Sequence, residues 1–177
     1  NRGVQEARAD LVARMDADDF SHPDRLRLQV NHLRDEQLDI VGGRVRIIDA
    51  DGQGISSMRR YEDWVNSGLR HDEIMAYRFV ESPLVNPTVL ARTEVFALGC
   101  REGDFPEDYD LWLRALQTGY RAGKVPEVIL DWIDGPHRLT RSDSRYSFAA
   151  FDSCRREHLL IGPLKGHPVC NLWGAGD

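Results

Sequence analysis

Six acidic side chains fall into two short groups whose spacing suits metal binding in one group and proton transfer in the other. Asp16, Asp18 and Asp19 form the first group, at the end of a mostly apolar run over residues 11–16. Three neighbouring carboxylates repel one another, so keeping all of them ionised is costly without a cation. Their oxygen ligands suit Mg²⁺ or Mn²⁺ shared with substrate phosphates. A solvated turn of aspartates that caps the following helix is the open alternative.

The second group, Glu107, Asp108 and Asp110, begins a predicted helix over residues 106–120. Acids in the first turn of a helix interact favourably with its dipole, which lowers their pKa. Mutual repulsion and burial among neighbouring aromatic residues raise the pKa, toward the value that a general base needs at neutral pH. Interaction with the dipole alone is the simpler interpretation of this group by itself, and a general base is the alternative.

Taken together, the two groups resemble motifs of the family 2 glycosyltransferases, which have the GT-A fold. Residues 13–19, with Arg25 and Gln29 behind them, resemble the family's DXD region. Residues 106–114 resemble its acidic ED helix, and residues 82–89, between the two, resemble the segment that leads into the acceptor-side strand. Three such segments in this order are far more specific than any one of them.

The resemblance implies that the first group binds a nucleotide-diphosphate sugar, with UDP as the expected nucleotide. Asp16 would lie beside the ribose and the metal. Asp18 would coordinate a Mg²⁺ or Mn²⁺ ion that bridges the diphosphate, and Asp19 would be a neighbour in that site. A divalent ion of this kind offsets the charge that develops on a diphosphate leaving group.

A basic segment after the last predicted core strand resembles a further motif of the family. It would place His137 near the metal, or Arg138 and Arg141 on the phosphates. A basic surface loop is the equally weighted interpretation of the same residues.

For the second group, the resemblance implies acceptor activation. Asp108 would be the base that deprotonates an acceptor hydroxyl, with Glu107 beside it and Asp110 in a supporting role. The implied reaction is a single in-line displacement at the anomeric carbon, with inversion. The acceptor would be a saccharide, a lipid or another hydroxyl compound, in the biosynthesis of a cell-surface polysaccharide.

Two other functions are compatible with the same aspartates. A metal-dependent phosphoester hydrolase would need two ions close together and a base that positions water. A non-catalytic module that binds nucleotide sugars would keep the acids without turnover. Donor consumption distinguishes both from a transferase.

Composition excludes several other classes of protein. The 177 residues carry a formal net charge of −6 with no basic cluster, which argues against nucleic-acid binding. The apolar runs are too short for a membrane span, although the parent protein could associate peripherally with a membrane. The three cysteines are odd in number and widely spaced, so we expect neither a disulfide framework nor a zinc site, and a cytoplasmic location.

Strands alternating with helices predict an α/β fold with a mixed central sheet flanked by helices, GT-A-like and incomplete at its N-terminus. Predicted strands cover residues 11–16, 39–49, 87–91 and 125–133, and Gly42-Gly43 is expected to interrupt the second of them. A predicted helix ends near Glu36. We expect residues 1–162 to form a partial catalytic domain that lacks half of the donor site and is inactive as a fragment. Residues 163–177 read as a linker and the first strand and Gly-x-Gly turn of a possible second Rossmann-like domain.

Overall fold

The computed structural model describes residues 2–135, 143–167 and 169. Within them, five strands form one mixed sheet: β1 (Leu11–Ala13), β2 (Phe20–Ser21), β3 (Ile40–Ile48), β4 (Leu90–Arg92) and β5 (Ala122–Ile133). Their order across the sheet is β1-β4-β3-β5-β2. The central strands β3 and β5 run parallel, and the other neighbouring pairs are antiparallel. The predicted mixed α/β sheet is therefore confirmed.

Helices flank this sheet: α1 (Arg2–Glu6), α2 (Arg25–Asp35), α3 (Arg59–Val65), α4 (His71–Tyr77), α5 (Thr93–Phe96), α6 (Glu107–Thr118) and α7 (Phe148–Ile161). Helix α6 ends where predicted, at Gly119, whose φ of 102° suits glycine at a helix C-terminus. A strand predicted at residues 87–91 is instead a short 3₁₀ turn, Asn86–Thr88, followed by β4. Pro87 lacks an N–H to donate to a strand ladder, which favours the turn.

Both faces of the central strands are covered, which explains why β3 is almost continuously apolar. Ile40 packs with Trp112 of α6 on one face, while Val41 packs with Leu33 of α2 on the other. Successive strand residues point to opposite faces of a sheet, so a strand buried on both sides loses the alternation of a half-exposed one.

The sequence Gly42-Gly43 was expected to interrupt β3, but the strand continues through it. The parallel pairing with β5 shifts register between Gly43 and Arg44. A Cβ atom at Gly43 would lie 2.3 Å from Ile129 Cδ1, so a side chain has no room there. The glycine permits close approach of the two central strands at this irregularity.

Two regions named in the sequence predictions fall wholly or largely outside the described residues. They are the basic segment at 137–141 and, apart from Val169, the strand and Gly-x-Gly turn at the C-terminal end. The domain boundary at residue 162 stays a prediction. No helix in the described part of the chain is both long and apolar enough to cross a membrane.

Candidate active site

A cleft of about 750 Å³ brings the two predicted acidic groups together. Asp16, Asp18 and Asp19 line it from the loop after β1, and Glu107 and Asp108 line it from the start of α6. These residues are about ninety positions apart in the sequence, so their meeting is a property of the fold. Of the six predicted acids, Asp110 is the one that does not line the cleft.

The first group combines exposed and buried carboxylates. Asp16 and Asp18 are exposed to the cleft, whereas Asp19 is only 5% exposed. The backbone N–H of Ile133 donates to Asp19 Oδ1 over 2.9 Å, which fixes the loop to the C-terminal end of β5. Asp19 therefore anchors the loop, and Asp16 and Asp18 offer oxygen atoms to the cleft.

Two buried polar side chains of α2 hold the same loop in place. The Arg25 guanidinium donates to the Arg14 carbonyl (2.6 Å) and to Gln29 Oε1 (3.0 Å). Gln29 Nε2 in turn donates to the carbonyls of Val41 (2.6 Å) and Thr88 (2.8 Å). Burial lowers the pKa of Arg25, and the nearby Asp19 carboxylate counteracts that effect. Arg25 and Gln29, which lie behind the predicted DXD segment in the sequence, thus support the loop that carries Asp16 and Asp18.

The second group lies at the N-terminus of α6, where Pro106 precedes the first helical residue. Burial raises the pKa of Asp108, while a hydrogen bond from the Tyr109 N–H (2.9 Å) and the charge of Arg14 lower it less strongly. The net direction is upward. Burial therefore outweighs the stabilisation that a helix N-terminus gives to a carboxylate, and this is the direction that a general base requires.

Asp110 lies on another side of α6, fully buried against the preceding loop and α7. It accepts hydrogen bonds from Arg101, from Arg114 Nε (2.8 Å) and from His158 Nε2 (2.9 Å). Burial opposes its ionisation, but the bonds from His158, Arg101 and Arg114 prevail, and the pKa of Asp110 is lowered. A positioning role for Asp110 fits these contacts better than contact with substrate.

The same location holds a group of potential metal ligands in the described part of the chain. Ligand atoms of Asp110, Cys154 and His158 all lie within 4.8 Å of one another. The two arginines already bonded to Asp110 would repel a cation there. We therefore regard this cluster as a buried ion-pair network that joins α6 to α7.

Several wall residues of the cleft were missed by the sequence predictions. Glu81 and Asp134 add two carboxylates, and Tyr61 and Trp132 add an aromatic surface. The position of Asp134 just beyond the end of β5 is a signal that could have found it, because ligands bind beyond strand ends in open α/β sheets. Glu81 gives no comparable signal in the sequence. His137, Arg138 and Arg141 lie outside the described residues.

The mixed sheet with its flanking helices has the GT-A type of fold. Residues 1–104 match the family described as Glycosyl transferase family 2, and the chain belongs to that family.

Characterised relatives and solved structures agree with this assignment. The chain is 28% identical to the O-antigen biosynthesis glycosyltransferase WbnJ of Escherichia coli, over 97% of this chain and 64% of WbnJ. It is 26% identical to the amylovoran biosynthesis glycosyltransferase AmsE of Erwinia amylovora, over 73% of this chain and 47% of AmsE. A crystal structure of residues 1–349 of TarS from S. aureus with UDP-GlcNAc superposes with a TM-score of 0.62 and 13% identity, covering 93% of this chain and 47% of that one. The chain spans less than two thirds of each.

Proposed function

We propose that this cleft carries out metal-dependent transfer of a sugar from a nucleotide-diphosphate sugar to an acceptor hydroxyl, with inversion at the anomeric carbon. The observation that supports it most directly is the meeting of Asp16 and Asp18 with Asp108 in one cleft. Asp16 and Asp18 suit a metal ion on the leaving diphosphate, and Asp108 suits deprotonation of the attacking hydroxyl.

On the donor side, Asp16 and Asp18 would hold Mg²⁺ or Mn²⁺. Both are exposed to the cleft and offer the hard oxygen ligands that these ions prefer. When bound, the ion neutralises negative charge on the diphosphate as it leaves. Asp19, whose Oδ1 accepts a hydrogen bond from the Ile133 backbone N–H, would hold the loop so that Asp16 and Asp18 face the cleft.

On the acceptor side, Asp108 would take the proton of the acceptor hydroxyl. As that oxygen bonds to the anomeric carbon, the bond from this carbon to the diphosphate oxygen breaks, and the configuration inverts. The proton ends on the Asp108 carboxylate, whose raised pKa favours accepting it. Glu107 lies beside Asp108 on the cleft wall and adds negative charge near the developing positive charge of the sugar.

The relatives suggest the biological setting. The names of WbnJ and AmsE refer to biosynthesis of an O-antigen and of amylovoran, and the TarS structure holds UDP-GlcNAc. We infer that a UDP-sugar is the donor and that the acceptor is a growing cell-surface glycan.

Paired substitutions in the full-length protein test the two halves of this mechanism. Asp18→Asn should weaken Mn²⁺-dependent binding of UDP, measured by calorimetry, because it removes a metal-binding carboxylate. Asp108→Asn should leave that binding intact and suppress UDP release during turnover.

Equal turnover of wild type and Asp108→Asn would contradict the base assignment. Release of sugar 1-phosphate and UMP in place of UDP would indicate a metal-dependent phosphohydrolase that cleaves between the two phosphates. Donor binding without turnover in the wild type would favour a binding module.

A further inference from the structure

One wall of the cleft is aromatic, and the proposed chemistry at Asp16, Asp18 and Asp108 does not account for it. Tyr61 of α3 and Trp132 near the end of β5 have ring centroids 6.4 Å apart at an interplanar angle of 38°. Both pack on a buried cluster that includes Val45 and Leu130. The rings are half-buried, so they offer a fixed, partly apolar surface to whatever enters the cleft.

Polar groups accompany this aromatic wall. The Tyr61 hydroxyl donates to Glu81 Oε1 over 2.9 Å. Asn86, on the same cleft, has a buried Oδ1 atom that accepts no hydrogen bond from the described residues. A buried amide oxygen without a donor is costly, so a ligand hydroxyl that donates to Asn86 would be favoured.

This combination of surfaces fits a pyranose ring. One face of a pyranose consists of C–H groups that pack on aromatic rings, and its edge consists of hydroxyls that donate to carboxylate and amide oxygens. A lipid chain would leave Glu81 and Asn86 without a ligand partner. A phosphate bound at this wall without a metal ion of its own would be repelled by the Glu81 carboxylate.

The contacts of the segment that carries Glu81 connect that end of the wall to the helix of the proposed general base. The Tyr109 hydroxyl donates to the Arg78 carbonyl over 2.7 Å, and Arg155 donates to the Val80 carbonyl over 3.1 Å. Tyr109 directly follows Asp108 in α6. The segment that carries Glu81 is therefore attached to the helix that carries the base.

Given the transferase function proposed above, we propose that Tyr61 and Trp132 bind the pyranose ring of a saccharide acceptor, with its hydroxyls on Glu81 and Asn86. The acceptor of this cleft is then a sugar, and neither a lipid alcohol nor an amino-acid side chain. The donor sugar is also a pyranose, so the experiment must distinguish these two sources.

Saturation-transfer NMR detects this site without turnover. The probes are methyl glycosides of glucose, galactose and N-acetylglucosamine at about 10 mM, a concentration that suits millimolar affinity. Sorbitol serves as a control that has hydroxyls but no ring. We expect saturation of ring C–H protons of at least one glycoside and none for sorbitol. Absence of transfer to every glycoside would overturn the proposal.

Two substitutions assign the signal to the wall. Trp132→Ala should weaken glycoside binding about tenfold through loss of stacking. Trp132→Phe keeps a ring and should restore most of it, which separates a lost surface from a lost fold. Phe148→Ala removes an aromatic side chain that is 81% exposed outside the cleft, and it should bind as the wild type does. Equal binding by Trp132→Ala and wild type would overturn the assignment.

Donor titrations of the full-length protein separate this inference from the proposed function. Mn²⁺-dependent binding of UDP and of UDP-sugars should be unchanged in Trp132→Ala. If Trp132→Ala binds UDP normally and UDP-sugars poorly, the wall holds the donor sugar and the inference is wrong. If the wild type binds glycosides through Trp132 but never binds UDP with Mn²⁺, the proposed function fails and the sugar site stands.

Discussion

Asp108 and Asp110 lie two residues apart in helix α6, and the fold surrounds them in opposite ways. Asp108 lines the cleft, and burial raises its pKa. Asp110 is enclosed with Arg101, Arg114 and His158, which lower its pKa. Two residues correspond to about 200° of rotation around a helix, so the two carboxylates face nearly opposite sides.

The comparison shows that two acids of one short motif can have opposite surroundings. Asp108, whose pKa is raised, is the proposed base, whereas Asp110 is held by three side chains and connects α6 to its neighbours. Arg114 also donates to the Leu98 carbonyl (2.8 Å), so the network around Asp110 fixes the loop before α6 as well as α7. A substitution at Asp108 should therefore change activity, whereas a substitution at Asp110 should change stability.

The largest expected effect is on turnover. Asp108→Asn should lower kcat about 10²–10⁴-fold, the usual contribution of a general base, with little change in donor affinity. Thermal unfolding should show the variant at least as stable as wild type, because the surroundings of half-buried Asp108 disfavour the charge that is removed. A variant that loses turnover only together with its fold would contradict this division.

The next effect is on folding. Asp110→Asn should lower the free energy of unfolding by about 1.5–3 kcal/mol, because it removes the buried charged acceptor of the hydrogen bonds from Arg101, Arg114 and His158. Urea unfolding followed by circular dichroism measures the change. Asp108→Asn is the matched control, with the same substitution in the same helix. Similar losses of stability for both variants would show that the two surroundings are not distinct.

The opposite pKa shifts predict opposite dependence of stability on pH. The Asp110 pKa is lowered, so its stabilising contribution is fully present above the unfolded-state pKa of about 3.9 and is lost as pH falls through the folded-state value. The Asp108 pKa is raised, so wild type loses stability relative to Asp108→Asn as pH rises above about 3.9. Urea unfolding of each variant and wild type across this range measures both differences, and parallel curves would refute the assignment.

The smallest effect is at the edge of the network. Gln117 Nε2 donates to the His158 carbonyl (2.9 Å), and Gln117 Oε1 lies 3.0 Å from His158 Nδ1. Gln117→Ala should cost about 1 kcal/mol, the usual net value of a hydrogen bond, and leave kcat unchanged. A fall in kcat with stability intact would mean that the network around Asp110 also influences catalysis in the cleft.

The elements around the site were largely predictable because their signals are local. Pro106 and Gly119 mark the ends of α6, and the apolar run of β3 marks a strand buried on both faces. The 3₁₀ turn at Asn86–Thr88 was missed because the apolar composition around it also suits a strand. The continuity of β3 through Gly43 depends on Ile129, a residue distant in sequence, and so could not be read from the glycines.

By itself, the sequence determined which acids could do chemistry and, through its match to the family model, which family the chain belongs to. The tertiary structure alone decided how the six acids divide, placing Asp108 on the cleft and Asp110 in an ion-pair network. It also revealed the wall formed by Tyr61, Trp132 and Glu81. The reason is physical: a pKa depends on burial and on charges brought near by the fold, and a cleft wall joins residues that the chain keeps far apart.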